Sequence, residues 1–107
     1  MGVSKNFLHP KGANQLADLA KVLSHPARVS IINYIGDCEG CLCKDISTKI
    51  GLSQPTTSQH LQVIKKVGLL KSRFEGKSQY YTIDLEQLKN LESLFGEFFK
   101  STEQKCC

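Results

Sequence analysis

The sequence predicts a mainly α fold with a β-hairpin wing, and three observations carry that expectation. Apolar residues recur at helical spacing in four stretches before Gly68, the period changes to two between Leu70 and Ile83, and a helical pattern returns as far as Phe99. At 107 residues one compact domain is expected. A chain this short buries a modest fraction of its surface, which leaves room for stabilisation by dimerisation.

The first helix is expected from about Ala13 to Leu23, with Leu16, Leu19, Ala20 and Leu23 on one face and Asp18 and Lys21 off it. Ser24 can cap a second helix, and Pro26 falls in a first turn whose N–H groups have no intrahelical acceptor. Val29, Ile32 and Ile35 form the expected buried stripe of that helix, and Gly36 stops it. Beyond a cysteine-bearing loop, Ile46 and Ile50 mark a short helix that ends at Gly51. Ser53 caps the next, with Pro55 in its first turn and Leu61, Ile64 and Val67 leading to Gly68. Two short helices thus meet across Gly51-Leu52-Ser53, as in a helix-turn-helix.

The hairpin follows. Leu70, Ser72 and Phe74 share one strand face and Lys71 and Arg73 the other, with Tyr81 and Ile83 returning beyond Glu75-Gly76-Lys77. Asp84 and Gln87 have capping-box spacing, and Leu88, Leu91, Leu94, Phe95, Phe98 and Phe99 give the last helix a broad apolar surface. The expected organisation is an N-terminal tail over 1–12, one domain over 13–100, and a C-terminal tail over 101–107 that carries two adjacent cysteines.

Fourteen Lys and Arg against ten Asp and Glu give a net charge of +4, compatible with a polyanionic partner. No run reaches the roughly 18 apolar residues of a membrane span, and Met1 to Lys11 lacks the apolar centre of a secretory signal. A cytoplasmic protein without a membrane partner is expected.

On a helical wheel Ser58, Gln59, Gln62, Lys65 and Lys66 project from one side of the Ser53–Val67 helix, and Thr57, Leu61, Ile64 and Val67 from the other. The first set is rich in amides and hydroxyls, which can donate and accept at base edges in a major groove. Gln54 and Thr56 lie near the leading end, where Ser53 and the helix N-terminus can hold a phosphate. A merely solvated face would carry the same residue types, but the hairpin favours a reader. Arg73 beside Lys71, with Lys77 at the tip, can reach phosphates or a minor groove. His60 falls toward the packed side and is either a half-buried structural histidine or a base contact. His25 reads as structural, Arg28 as an anchor for packing or phosphate, and His9 lies in the tail.

These residues resemble the ArsR/SmtB family of metal- and stress-responsive repressors. The resemblance rests on Leu23-Ser24-His25-Pro26-Ala27-Arg28, on Leu52-Ser53-Gln54-Pro55-Thr56-Thr57-Ser58-Gln59-His60-Leu61, on Val67-Gly68-Leu69-Leu70, and on Phe74-Glu75-Gly76-Lys77-Ser78-Gln79-Tyr80-Tyr81. It covers about Ala13 to Phe99. It implies a winged helix-turn-helix repressor, not an enzyme, that binds double-stranded operator DNA as a homodimer. The first and last helices would pair across the two-fold, through Leu16, Leu88, Leu91, Phe95 and Phe98, and set two recognition helices about one DNA turn apart.

Five cysteines fall at Cys38, Cys41, Cys43, Cys106 and Cys107. In a reducing compartment such clusters favour metal binding or thiol chemistry over structural disulfides. The resemblance aligns Cys41-Leu42-Cys43 with the Cys-x-Cys pair of arsenic- and cadmium-sensing members, at the start of the first helix of the helix-turn-helix. A helix N-terminus lowers a thiol pKa, and thiolates suit As(III), Cd(II), Pb(II) or Zn(II) as an inducer. Residues two apart on a helix point about 200° from one another, so joint coordination requires one cysteine, or Cys38, to lie in the preceding loop. The pattern departs from the arsenic type, which often adds a third cysteine where this chain has Ile46, and from the cadmium type, which adds N-terminal cysteines. The segment from Asp84 to Lys100 holds no histidine, which removes the family's zinc or nickel site on the last helix. Cys106 and Cys107 are either further ligands or incidental thiols.

Three other readings compete. The same cysteines can act as a redox or sulfur-species sensor. They can hold a structural zinc with one terminal cysteine as the fourth ligand. A thiol enzyme is the third, against which stands the lack of a Cys-x5-Arg phosphate loop or an evident Cys-His pair.

Overall fold

The computed structural model describes residues 11–105; His9, Cys106, Cys107 and the expected tail up to residue 10 lie outside the described residues. The elements run α1 (Lys11–Leu23), α2 (Pro26–Gly36), β1 (Cys41–Leu42), α3 (Cys43–Ile50), α4 (Gln54–Lys66), β2 (Leu70–Glu75), β3 (Ser78–Ile83) and α5 (Leu85–Lys105). α1 therefore starts two residues before the expected boundary. α5 runs five residues past the other, so 101–105 continue the helix and are not a tail.

The three strands form an antiparallel sheet in the order β1-β3-β2. β2 and β3 pair from Leu70↔Ile83 to Glu75↔Ser78, which leaves Gly76-Lys77 as a two-residue turn. Gly76 carries φ 65° there, as a hairpin turn with its first central residue left-handed requires. β1 pairs Cys41 with Tyr81 and Leu42 with Tyr80 on the other edge of β3. This third strand was not expected, because two residues are too few to show a period.

The core holds Leu19, Val22, Ile31, Ile35, Ile46, Leu61, Ile64, Leu69, Leu70, Tyr81 and Leu91. Two helical faces differ from expectation. In α1 the inward residues are Leu19 and Val22, while Ala20 and Leu23 are exposed. In α2 they are Ile31 and Ile35, with Ile32 partly buried and Val29 exposed. Both helices carry apolar residues on more than one side, and spacing alone does not say which side the core takes. Phe74 is 67% exposed, because the wing extends beyond the helices that cover Leu70.

Two junctions fix the reading helix. Gly51 sits at φ 86°, and its N–H and that of Leu52 both bond the Ser47 carbonyl, at 2.8 and 3.1 Å, closing α3 and turning the chain into α4. At the other end only half of the expected capping box forms. The Gln87 N–H donates to Asp84 Oδ1 at 3.1 Å, but the Gln87 amide turns away and donates to the Val67 carbonyl at 2.9 Å. Asp84 N–H bonds Leu69 instead. α5 is thereby tied to the end of α4.

Thr57 is fully buried in α4, and its hydroxyl has no hydrogen-bond partner among the described residues. A buried hydroxyl without a partner destabilises the fold, and valine fills the same volume without one. Thr57→Val is expected to raise stability by about 1 kcal/mol, read as a higher urea midpoint with unchanged cooperativity.

Candidate nucleic-acid interface and cysteine turn

Ser53 caps α4 as expected: its side-chain oxygen accepts from the Thr56 N–H at 3.3 Å and its hydroxyl donates to Thr56 Oγ1 at 3.0 Å. Gln54, Thr56, Gln59 and Gln62 are exposed and Ser58 is half-buried, while Thr57, Leu61 and Ile64 face the core. The two faces of α4 divide as the wheel implies.

The polar face of α4 is joined to the wing. Lys65 Nζ donates to the Ser72 hydroxyl at 3.1 Å, and Gln79 Nε2 donates to the same oxygen at 3.0 Å. Ser72 therefore joins the second half of α4 to both wing strands. Arg73 is paired with Glu75 at 2.8 Å and its guanidinium lies 5.1 Å from the centre of the Tyr80 ring. Both partners of that ion pair are more than half exposed, so it orients Arg73 more than it stabilises the fold. Lys77 is exposed at the hairpin tip. A cleft of about 360 Å³ between α3, α4 and the wing is lined by Cys43, Gln54, Ser58, Lys77 and Gln79 among others.

His60 leaves the reading set. Its Nδ1 accepts from Arg28 Nε at 3.2 Å and its ring meets His25 edge-on, with centroids 4.7 Å apart. Burial, then the neighbouring His25 and Arg28, push its pKa below the usual imidazole value, so it is neutral at pH 7 and locks α4 to the start of α2. Arg28 also donates to the Lys21 carbonyl at 3.3 Å, which makes it a packing anchor. Since folding depresses this pKa, the stability it contributes is complete above about pH 6.5 and is lost as pH falls through the lower folded value. The thermal midpoint is expected to drop between pH 7 and 5. His60→Gln, which keeps an acceptor for Arg28, flattens that stretch of the profile; an unchanged slope would exclude His60 as its source.

The expected dimerisation residues divide. Leu91 is only 8% exposed and belongs to the protomer's own core, so it is removed from the set. Phe95 is partly buried against that core, and Leu16 is half-buried. Leu88 and Phe98 are exposed. Between α1 and α5 runs a mainly apolar groove of about 830 Å³, lined by Ala13, Leu16, Ala17, Ala20, Phe95 and Phe98 among others. Ala20 was expected on the same face as Leu19, and Ala13 and Ala17 were not singled out; their spacing with Leu16 was the available signal for a second apolar face.

The cysteine trio does not converge. Cys38 sits just past the end of α2, where its thiol donates to the Tyr34 carbonyl at 3.2 Å. Cys41 lies in β1 and is buried. Cys43 opens α3 and points the other way, its Sγ 3.8 Å from the Gln54 carbonyl. Among the described residues no three His, Cys, Asp or Glu side chains are grouped to hold a metal ion. A three-cysteine metal site therefore does not fit. The expectation of lowered thiol pKa values is also overturned. Burial, with the Cys38 thiol and Asp45 adding to it, pushes Cys41 up to about 12, and burial raises Cys43 although it begins a helix. Desolvation outweighs the helix terminus at Cys43, and Cys41, in a strand, has no such terminus to lower it.

Residues 25–72 match the family described as bacterial regulatory protein, arsR family. The chain is 38% identical over 89 residues to a cadmium resistance transcriptional regulatory protein CadC homolog of Staphylococcus aureus, covering 82% of this chain and 73% of that one. It is 30% identical over 95 residues to a biofilm growth-associated repressor of Xylella fastidiosa, covering 89% and 82%. Among solved structures, the homodimeric winged helix-turn-helix DNA-binding domain of Mycobacterium bovis superposes with a TM-score of 0.65 at 27% identity, covering 86% of this chain and 82% of that one. No described helix is long and apolar enough to cross a membrane. Family match and fold agree, and the chain belongs to the ArsR family of bacterial transcriptional regulators.

Proposed function

We propose that this protein is a homodimeric repressor of the cytoplasm that binds double-stranded operator DNA, and that a thiol-directed signal releases it. The observation that carries the reading is the exposed polar face of α4, Gln54, Thr56, Gln59 and Gln62, tied to the wing where Lys65 and Gln79 meet at Ser72, with Lys77 exposed at the tip. The α4 face enters a major groove, with Ser53 and the first turn on a phosphate and the wing on the flanking backbone. His60 acts in positioning α4. The binding and dimerising unit extends from α1 through the end of α5.

Dimerisation through α1 and α5 draws support from the apolar groove between them and from the homodimeric state of the similar Mycobacterium bovis domain. Dimers of this kind read two half-sites and so favour palindromic operators. The thiol signal draws support from β1, which makes the cysteine segment an edge strand of the wing's own sheet. Relatives named for cadmium resistance agree with a soft-metal inducer.

The test is fluorescence anisotropy of the reduced protein on a labelled duplex from its own upstream region, at fixed salt. Binding that is saturable, sequence-specific and two protomers per duplex is expected. Equal affinity for a scrambled duplex would overturn the operator reading.

A further inference from the structure

The register of the hairpin sorts its side chains onto two faces. Leu70, Ser72 and Phe74 of β2 lie with Ile83, Tyr81 and Gln79 of β3 on one, and Lys71, Arg73 and Glu75 lie with Thr82, Tyr80 and Ser78 on the other. The first face is the one turned to α4, since Lys65 of α4 and Gln79 both donate to the Ser72 hydroxyl. Along β2 its side chains emerge from the core toward the tip: Leu70 is buried, Ser72 half-buried and Phe74 67% exposed. Arg73 is engaged on the second face, where it pairs with Glu75, lies over the Tyr80 ring and stands 3.1 Å from the place that a Cβ on Gly40 would take.

A single exposed phenylalanine is common on protein surfaces, so its surroundings decide what it can meet. Lys65 lies behind Phe74 at Ser72, and Lys77 is exposed at the turn beyond it. No strand residue on this face is acidic; the hairpin's carboxylate, Glu75, is on the other face and tied to Arg73. An apolar ring between two cations suits a partner that alternates anionic and apolar groups, and a DNA backbone does so, with phosphates separated by deoxyribose rings. We propose that Phe74 is a DNA contact whose ring packs on the deoxyribose wall of the minor groove flanking the site that α4 reads. The contact involves no charge, so it adds affinity without releasing counterions. It makes no hydrogen bond to a base edge, so it responds to the width and shape of the groove and not to one base. This inference rests on the operator reading above and adds to it the one apolar side chain that the wing presents to DNA.

The test measures anisotropy of the reduced full chain and of Phe74→Ala, Phe74→Leu and Lys77→Ala on the upstream duplex over a series of salt concentrations. Hydroxyl-radical cleavage of the bound duplex, which attacks deoxyribose, is read beside it. Phe74→Ala is expected to weaken operator binding about tenfold, as loss of a partly buried aromatic side chain implies. The dependence of log affinity on log salt stays unchanged, the thermal midpoint holds, and a short run of deoxyriboses beside each half-site loses its protection. Phe74→Leu keeps most of the affinity, whereas Lys77→Ala lowers the salt slope by about 1. Unaltered affinity and protection in Phe74→Ala, an altered salt slope, or a loss that sedimentation velocity traces to dissociation of the dimer would overturn the contact. A wild-type chain that shows no preference for the upstream duplex removes the operator reading and this contact with it; a wild type that binds specifically while Phe74→Ala binds equally well removes the contact alone.

Discussion

Ala17→Glu is expected to leave the protein monomeric and to remove tight operator binding while each protomer stays folded. Ala17 lies in the apolar groove between α1 and α5, exposed within the protomer, so a larger side chain there displaces nothing of the protomer's own. In a two-fold interface the substitution appears twice. Among the described residues that line the groove none is a cation and Glu97 is already acidic, so each added carboxylate would be buried against alanine, leucine and phenylalanine at a cost of several kcal/mol per ion. A monomer holds one half-site and loses the gain from linking two, about 100-fold or more in affinity. Sedimentation velocity reads the first effect and anisotropy the second. A variant that still sediments as a dimer would move the interface away from this groove.

The second large effect separates the two faces of α4. Leu61 is fully buried and its neighbour Gln62 is exposed. Leu61→Ala opens a cavity under the reading helix and is expected to cost about 2–5 kcal/mol, a large share of the roughly 5–15 kcal/mol that holds a small domain. Its thermal midpoint falls sharply, and DNA binding falls with the folded fraction. Gln62→Ala touches no core contact, so its midpoint stays put. It removes a side chain able to make two hydrogen bonds to one base, and operator affinity falls by about 1–3 kcal/mol, or about 5- to 150-fold, while affinity for unrelated DNA holds. If both affinities fell together, Gln62 would be a general contact and not a reader.

That division of α4 was legible because its pattern is simple: Leu61, Ile64 and Val67 against Gln59, Gln62 and Lys66 leave one choice of inward face. The hairpin was legible for the same reason, its period and its Gly76-Lys77 turn agreeing. α1 and α2 were harder. Their apolar residues surround more of the helix, and which side meets the core depends on neighbours that local spacing does not describe. The inward side in α1 proved to be Leu19 and Val22, with Ala17 and Ala20 left on a second face. β1 was invisible, since a two-residue strand exists only through its pairing with Tyr80 and Tyr81. The cysteines show where sequence order misleads. Cys41 and Cys43 are nearest in the chain, yet they do not act together, because the change from strand to helix at Cys43 turns its thiol toward Gln54 of α4 while Cys41 stays buried in the sheet. His60 was decided by Arg28, 32 residues away in the chain.

The Gln87 amide, which donates to the carbonyl of Val67 just past the end of α4, turns α5 into a lever. A helix of 21 residues is about 30 Å long, and a tilt of about 10° over that length displaces its far end by about 5 Å, more than the 3.4 Å rise of one base pair. Small changes in how two copies of α5 cross would therefore appear as a mismatch between the spacing of the reading helices and the pitch of the duplex. The operator would be lost through geometry, with every base-reading side chain still intact and in its own rotamer.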